Sequence, residues 1–395
     1  MRKTIRHRRF GPVVSVMGLL IAGTMSAAQA QTKVLINPGD QGESSRFAVY
    51  SQWKQAVEQA LRKNGVSAPA VQLSTDATVD LQATRSRIQD VFIAPSHVVG
   101  SAVRYGYTPV LGLDRPVRAV LVAPAGSGVD SLAKAQGKRL GMPSQDSVVT
   151  YLMRGEVNAA NTTFKRHFAS VYQTRYQEAL LPCLQVKRCE VVAVEKAVFE
   201  RWVAAGEKLV AVMETQSAPG MSVVLRNDSR IAVDAFRAAL GDALSSADQG
   251  PVVSLKADDF RYVSTLGYFT PRSLPGAEVV DAAAVAQLLA RGARYIDTRT
   301  EPEFKAGHVP GAKLVPYVEK SPKDADYDAS MDQFDVTQLG SDRNAELVFA
   351  CNGAECWKSY KASHAAIKAG FKRVYWFRGG FPEWRGSGQK VDALL

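Results

Sequence analysis

From Lys33 onward, short apolar runs alternate with stretches whose apolar residues recur at helical spacing, as in chains where strands feed helices. Val34, Leu35 and Ile36 form the first run, which stops at the turn Asn37-Pro38-Gly39-Asp40. Residues 47–63 predict an amphipathic helix with Phe47, Trp53, Val57, Ala60 and Leu61 on one side, closed by Gly65. Further strands are predicted at 90–94, 118–123, 138–142, 190–194, 208–213 and 221–225. Helix starts are expected at Ser96, as N-cap, at Asp130, and after the small polar run 143–147. At 271–276, Pro-Arg-Ser-Leu-Pro-Gly, the pattern breaks like a linker. A new set follows: a helix around 285–289, strands at 294–299, 347–350 and 374–377, and a helix over 357–369 closed by Gly370. No internal repeat relates the two halves.

The stretch before Lys33 follows another rule. Five basic residues lie in the first ten, an apolar stretch runs over 12–25, and Ala28-Gln29-Ala30 follows. That order is the signature of a secretory signal peptide. Its apolar part is broken by Ser15, Gly18 and Gly23 and falls short of the ~20 residues of a bilayer span. Cleavage after Ala30, a periplasmic location and no membrane span after cleavage are the expectations. Composition changes little else: 46% hydrophobic and 22% charged residues suit a buried core. Without the leader, 49 basic residues fall to 44 against 38 acidic ones, so the net charge of +11 is no argument for a nucleic-acid partner. Four cysteines are too few for a disulfide scaffold. Cys183 and Cys189, in an exported chain, are expected to close a small loop, and their spacing is no zinc signature without a second ligand pair. No metal or cofactor is expected.

Three segments resemble the phosphonate-binding-like family of periplasmic solute-binding proteins of ABC transporters: Asp90-Val-Phe-Ile-Ala-Pro-Ser-His97, residues 126–147, and residues 189–194. The resemblance implies two lobes with a hinge near 117–120 and 221–225, a small anionic sulfur or phosphorus ligand, and an ABC-transporter permease as partner. Helix N-termini favour anions through unpaired N–H groups and the helix dipole. Ser96, Ser144 and Ser147 would add hydroxyl donors there, or act as plain N-caps. Tyr50 and His97 are ligand contacts by position, or packed residues. The usual Gly-Asp before the late strand is missing, and the Cys183–Cys189 segment stands there instead.

The C-terminal part carries sharper motifs. IDTRTEPEFKAGHVPGA over 296–312, a strand running into Cys351, and FRGGFPEW over 377–384 together resemble a rhodanese domain. The resemblance implies an α/β domain with a central parallel sheet and Cys351 as nucleophile. Between a strand and a helix, backbone dipoles lower the pKa of a thiol and favour the reactive thiolate. That thiolate attacks a sulfane donor and becomes a persulfide, which the loop's N–H groups would hold. The loop reads Asn352, Gly353, Ala354, Glu355, Cys356, Trp357, Lys358, Ser359, with Lys358-Ser359 two positions later than the family's basic-hydroxyl pair. Trp357 stands where phosphatase relatives of the fold carry arginine, which argues against phosphatase activity. Lys358 would draw an anionic donor such as thiosulfate. Asp297, Arg299 and His308 are read as supporting residues, paired with each other or with nearby backbone. Cys356 either bonds to Cys351 or resolves its persulfide. An insert over 319–346 holds eight acids against three bases and reads as a solvated excursion, with partner docking as the other option.

The expected architecture is α/β throughout: a leader over 1–30, a two-lobed periplasmic-binding-protein-like domain over 31–270, a linker over 271–278, and a rhodanese-like α/β domain with a central parallel sheet over 279–395. The expected function is sulfane sulfur transfer through a Cys351 persulfide, coupled to capture of a small anion. The alternative is a solute-binding protein or sensor whose C-terminal domain is non-catalytic or a Cys351/Cys356 thiol redox module.

Overall fold

Three sheets organise the residues that the computed structural model describes: 31–246 and 250–394, with Met1. The predicted leader, residues 2–30, lies outside them. The first lobe's sheet runs Val252–Ser254, Tyr107–Leu113, Ser222–Arg226, Val91–Ala94, Lys33–Ile36 and Ala70–Leu73 in spatial order. Its last three strands are parallel. Strands covered on both faces read as unbroken apolar runs, and Val91, Phe92, Ile93 and Ala94 are all buried. The helices Glu43–Lys63 and Val233–Ser246 pack together on one face through Trp53, Val57, Leu61, Phe236 and Leu240. Phe47 is 59% exposed, against expectation. At 3.6 residues per turn it sits roughly a quarter turn from the mean direction of Trp53, Val57, Ala60 and Leu61.

The second lobe's sheet runs Ser170–Thr174, Arg139–Pro143, Val191–Glu195, Ala119–Pro124 and Leu209–Glu214. The chain crosses between lobes just before the positions expected, because Ala119–Pro124 and Ser222–Arg226 are whole strands of the two sheets. The crossings carry Pro116 and Pro219, which cannot donate to a ladder. Val117 and Ala218 exchange both backbone hydrogen bonds there, at 2.8 and 2.9 Å. Two helix starts also differ. Asp130 is followed only by a short turn, Ala133–Ala135. Ser96 is the first residue of the helix Ser96–Arg104, with Pro95 as an N-cap that has no side chain to offer.

The C-terminal sheet is parallel throughout: Ala277–Val279, Arg373–Phe377, Glu346–Ala350, Arg294–Asp297 and Lys313–Leu314. Side chains alternate across it. Val348, Phe377, Phe381 and Trp384 pack on one face, and Ile296, Leu347, Phe349 and Ala362 on the other. Ala277–Val279 starts within the span read as linker and crosses its end at 278, and Leu274 just before it is buried among Trp357, Tyr360 and Trp376.

The acidic insert is solvated over much of its length, as expected, but it is ordered: most of its acids serve as local acceptors, which folds the loop. Asp332 alone accepts from Lys320 N, Ser321 N, Ser321 Oγ and Tyr317 Oη at 2.5–2.8 Å. Leu339 and Tyr317 anchor the loop in the core. Its tip then meets the second lobe, with Lys165 Nζ 2.9 Å from Asp324 Oδ2.

Candidate functional site

The buried strand Glu346–Ala350 delivers Cys351 to the carboxyl end of the parallel sheet, where α/β folds open their crevices. Phe381 N donates to Cys351 O over 2.8 Å, and any side chain at Gly380 would collide with that oxygen. Gly353, at φ 90°, turns the loop back so that Cys356 N donates to Gly353 O. Cys356 then caps the helix Trp357–Lys368. A disulfide joins Cys351 and Cys356, whose Cα atoms are 6.1 Å apart. Among the described residues, the main-chain N–H groups of Asn352, Gly353, Ala354 and Glu355 have no acceptor.

Cys351 is 1% exposed, because the N-terminal module covers the loop. Thr270 N and Oγ1 both donate to Ala354 O, at 2.9 and 2.8 Å. Trp357 Nε1 donates to Tyr268 O over 2.8 Å. The buried Glu355 carboxylate lies 3.4 Å from Arg104 and 3.9 Å from Arg85. Burial works against the charge of Arg85, but Glu355 together with Tyr105, Tyr151 and Asp146 raises its pKa on balance. Lys358 Nζ donates to Gln82 Oε1 over 3.3 Å, and burial pushes its pKa below the usual lysine value despite the pull of Glu303. Asn352 Nδ2 donates to Glu303 Oε1 over 2.7 Å.

The supporting residues are occupied elsewhere. Arg299 grips Asp297 through Nε and Nη2 at 2.6–3.1 Å, donates to Gly307 O, and covers the Phe381 ring at 4.1 Å. His308 stacks on Phe304 with its Nδ1 2.9 Å from Phe304 O. Ser359 Oγ accepts from Trp376 Nε1 over 3.1 Å, within the core. Far from these, Cys183 and Cys189 are joined by a second disulfide among Leu180, Leu184, Val192 and Val194. There Gly141 leaves room for sulfur: a Cβ on it would lie 2.6 Å from Cys189 Sγ.

The second site is a cavity of about 580 Å³ between the two lobes, within the size range of small-ligand pockets. His97, Ser144 and Ser147 line it; Tyr50 and Ser96 do not. Tyr50 Oη reaches Val71 O on the outer strand, and Ser96 Oγ is buried without a partner. Tyr50 lies one helical turn beyond Arg46, which does line the cavity, and Ser96 is about 100° around its helix from His97. Ser147 acts as a cap, accepting from Val149 N over 3.2 Å.

Residues that the sequence reading passed over do more. Asp146 is buried, accepts from Thr78 Oγ1 of the first lobe, and lies 2.6 Å from Lys323 Nζ of the insert. Burial raises its pKa, yet Lys323 and Thr78 bring it below the usual carboxylate value. His97 Nε2 sits 2.8 Å from Asp146 O, so the proton is assigned to Nε2. Burial pushes this histidine down to about 4, and its Nδ1, in a residue 3% exposed, has no partner. Across the hinge side, Gln177 Nε2 donates to Asp40 Oδ1 at 2.7 Å and Glu195 Oε1 at 3.0 Å, while Gln41 Nε2 donates to Glu195 Oε2. Burial, then the nearby Asp40, raises Glu195 to about 7, and burial raises Asp40 as well. Gln177 thus bridges the lobes by donating to two buried carboxyls whose pKa values are both raised.

Two family profiles match this chain. One, "ABC transporter, phosphonate, periplasmic substrate-binding protein", covers residues 43–264, and the other, "Rhodanese-like domain", covers residues 281–387. Thiosulfate sulfurtransferase 18 of Arabidopsis thaliana is 33% identical over 107 residues, 27% of this chain and 76% of that protein. The chain belongs to both families. Its rhodanese domain is also 30% identical over 106 residues to the chloroplastic thiosulfate sulfurtransferase 16 of the same plant, 27% of this chain and 85% of that protein. The binding module resembles PhnD1 of Prochlorococcus marinus, solved with methylphosphonate: 12% identity, 60% of this chain, 96% of that one, TM-score 0.49. No described helix is long and apolar enough to cross a membrane. In the rhodanese domain, then, the cysteine loop faces the binding module, and in the binding module the cleft is walled in part by the rhodanese insert.

The residues missed at the sequence level left faint signals. Lys320 and Lys323 are two of only three bases in an acid-rich stretch, and Asp146 lies between the two serines singled out. Nothing local marks Glu195, nor the pairing of Glu355, named within the loop, with Arg85.

Proposed function

We propose that the protein is an exported, transporter-associated anion-binding protein whose rhodanese domain transfers sulfane sulfur through Cys351 once the Cys351–Cys356 disulfide is reduced. A dithiol supplies the two electrons, leaving Cys351 as thiolate and Cys356 as thiol. The thiolate attacks the outer sulfur of thiosulfate, the S–S bond of thiosulfate breaks, and sulfite leaves with the bonding electron pair. The persulfide carries its negative charge beside the loop's N–H groups and the start of the Trp357 helix. The observation that carries this reading is Cys351 at the sheet's carboxyl end, next to four N–H groups without an acceptor.

The bonded, covered state of Cys351 and Cys356 also favours a second reading, a thiol redox module. Intact mass after thiosulfate treatment separates the two. Sulfur transfer adds one sulfur atom to reduced protein and none to Cys351→Ala; a redox module only exchanges thiols and disulfides. The cleft's share of the proposal is a small oxyanion ligand. A shift in Tm with phosphate, methylphosphonate, sulfate or thiosulfate tests it, because selective binding raises native stability.

A further inference from the structure

The cleft of the binding module is not built by that module alone. Glu319, Lys320, Ser321, Pro322 and Lys323, all from the rhodanese insert, form one of its walls. From the structure we infer that this segment is part of the ligand site, supplying Lys320 and Lys323 as cationic partners for the small oxyanion that the binding module takes. The inference rests on the anion-binding part of the proposed function.

The charges on the cavity wall point this way. The binding module contributes Asp40, Asp76 and Asp146 against Arg46 and Arg175. Arg46 is spent on backbone, with Nη1 donating to Gly39 O at 3.0 Å and Nη2 to Ser74 O at 2.6 Å. Arg175 is exposed, reaches Thr75 O at 3.5 Å and lies over the Tyr176 ring. By itself this wall suits an anion poorly. The insert adds two ammonium groups and one carboxylate, and that carboxylate, Glu319, is engaged by Lys361 Nζ at 2.8 Å.

Both lysines have donors to give. An ammonium carries three. Lys323 Nζ, on a side chain 8% exposed, uses one on Asp146 Oδ1, and Lys320 Nζ has no partner among the described residues. His97 Nδ1, buried and unpartnered in the cavity lining, is an acceptor with the proton on Nε2, so it leaves the donors for an anion to the lysines. The segment is held in place from behind. Lys361 Nζ donates to Ser321 Oγ at 2.7 Å and Pro322 O at 3.1 Å, and Asp332 accepts from the backbone of Lys320 and Ser321. Lys323 N also donates to Gln145 Oε1 at 3.2 Å, which ties the segment to the second lobe.

The test is titration calorimetry on the full chain with methylphosphonate, inorganic phosphate, sulfate and thiosulfate. It compares wild type with Lys320→Gln, Lys323→Gln and, as a control outside the cleft, Lys305→Gln. Losing one charge-assisted hydrogen bond weakens binding by about tenfold or more in Lys323→Gln, with a smaller loss in Lys320→Gln and none in Lys305→Gln. Lys320 is exposed, so Lys320→Gln keeps its fold and its affinity can be read even if Lys323→Gln unfolds. Unchanged or tighter binding in both cleft variants overturns the inference, because the segment is then a plug rather than a ligand wall. A wild type silent to all four anions overturns the anion-binding reading itself, a separate failure.

Discussion

The cysteine loop and the interlobe cleft are both bridged, and by different chemistry. Around Cys351 the closure is a covalent bond, backed by the Glu355–Arg85–Arg104 cluster and the Thr270–Ala354 hydrogen bonds. Opening it takes two electrons. Across the cleft the link is Gln177, which donates to Asp40 and Glu195, and burial first, then Asp40, raises Glu195 to about 7. Removing the Glu195 proton sets two buried like charges against each other. Cys183–Cys189 is the internal control: the same kind of bond, set in an apolar cluster, is a staple. In the proposed reading, surroundings rather than the bond set the Cys351–Cys356 pair apart from this staple.

The largest expected effect breaks the cover on the cysteine loop. Glu355→Ala strands Arg85 as an uncompensated buried charge, which costs about 3–5 kcal/mol. Thermal unfolding should show the loss, and the disulfide of the surviving folded protein should be reduced faster by a small dithiol. An unchanged reduction rate would mean that Glu355 does not hold the loop shut.

The next effect belongs to the cleft. The folded chain keeps a proton on Glu195 up to about pH 7, whereas an unfolded glutamate loses it near 4.5. Its contribution is therefore full below 4.5 and is lost as pH rises through 7, on the order of 3 kcal/mol. Asp80, raised by burial to about 7, adds the same sign. Tm should fall between about pH 5 and about pH 8. Asp40→Asn removes the like charge and should flatten that fall, and a profile as steep as wild type would contradict the part of Asp40 in raising Glu195.

A smaller effect sharpens the comparison of the two disulfides. Replacing Cys183 and Cys189 by alanine together should cost about 2 kcal/mol, the chain entropy released by so short a loop. Sulfur uptake at Cys351 should not change. If it does, the two loops are not independent.

The C-terminal fold was legible because its pattern is local. The strands predicted at 347–350 and 374–377 extend by one residue to Glu346–Ala350 and Arg373–Phe377, and the Cys351 turn follows from the motif around it. Tyr107–Leu113 and Ser170–Thr174 were missed: the first carries Pro109 and Gly112, and the second is an edge strand with polar Gln173 and Thr174. The site was half legible. Cys351, Cys356 and the cleft serines stand near recognisable helix starts. Lys323 on Asp146, 177 residues away, and Glu355 on Arg85 have no local signature. Charge pairs between domains exist only once the domains have docked, and the acids that hid the lysines of the insert had been spent on folding it.

The central claim is a Cys351 centre that takes sulfur only after its disulfide opens. Intact mass of the full chain, before and after thiosulfate, tests it most directly in four samples: oxidised wild type, reduced wild type, Cys356→Ser and Cys351→Ala. One sulfur atom should appear in reduced wild type, and in Cys356→Ser without any reductant, while oxidised wild type and Cys351→Ala gain none. No gain in reduced wild type, or an equal gain in Cys351→Ala, would contradict it.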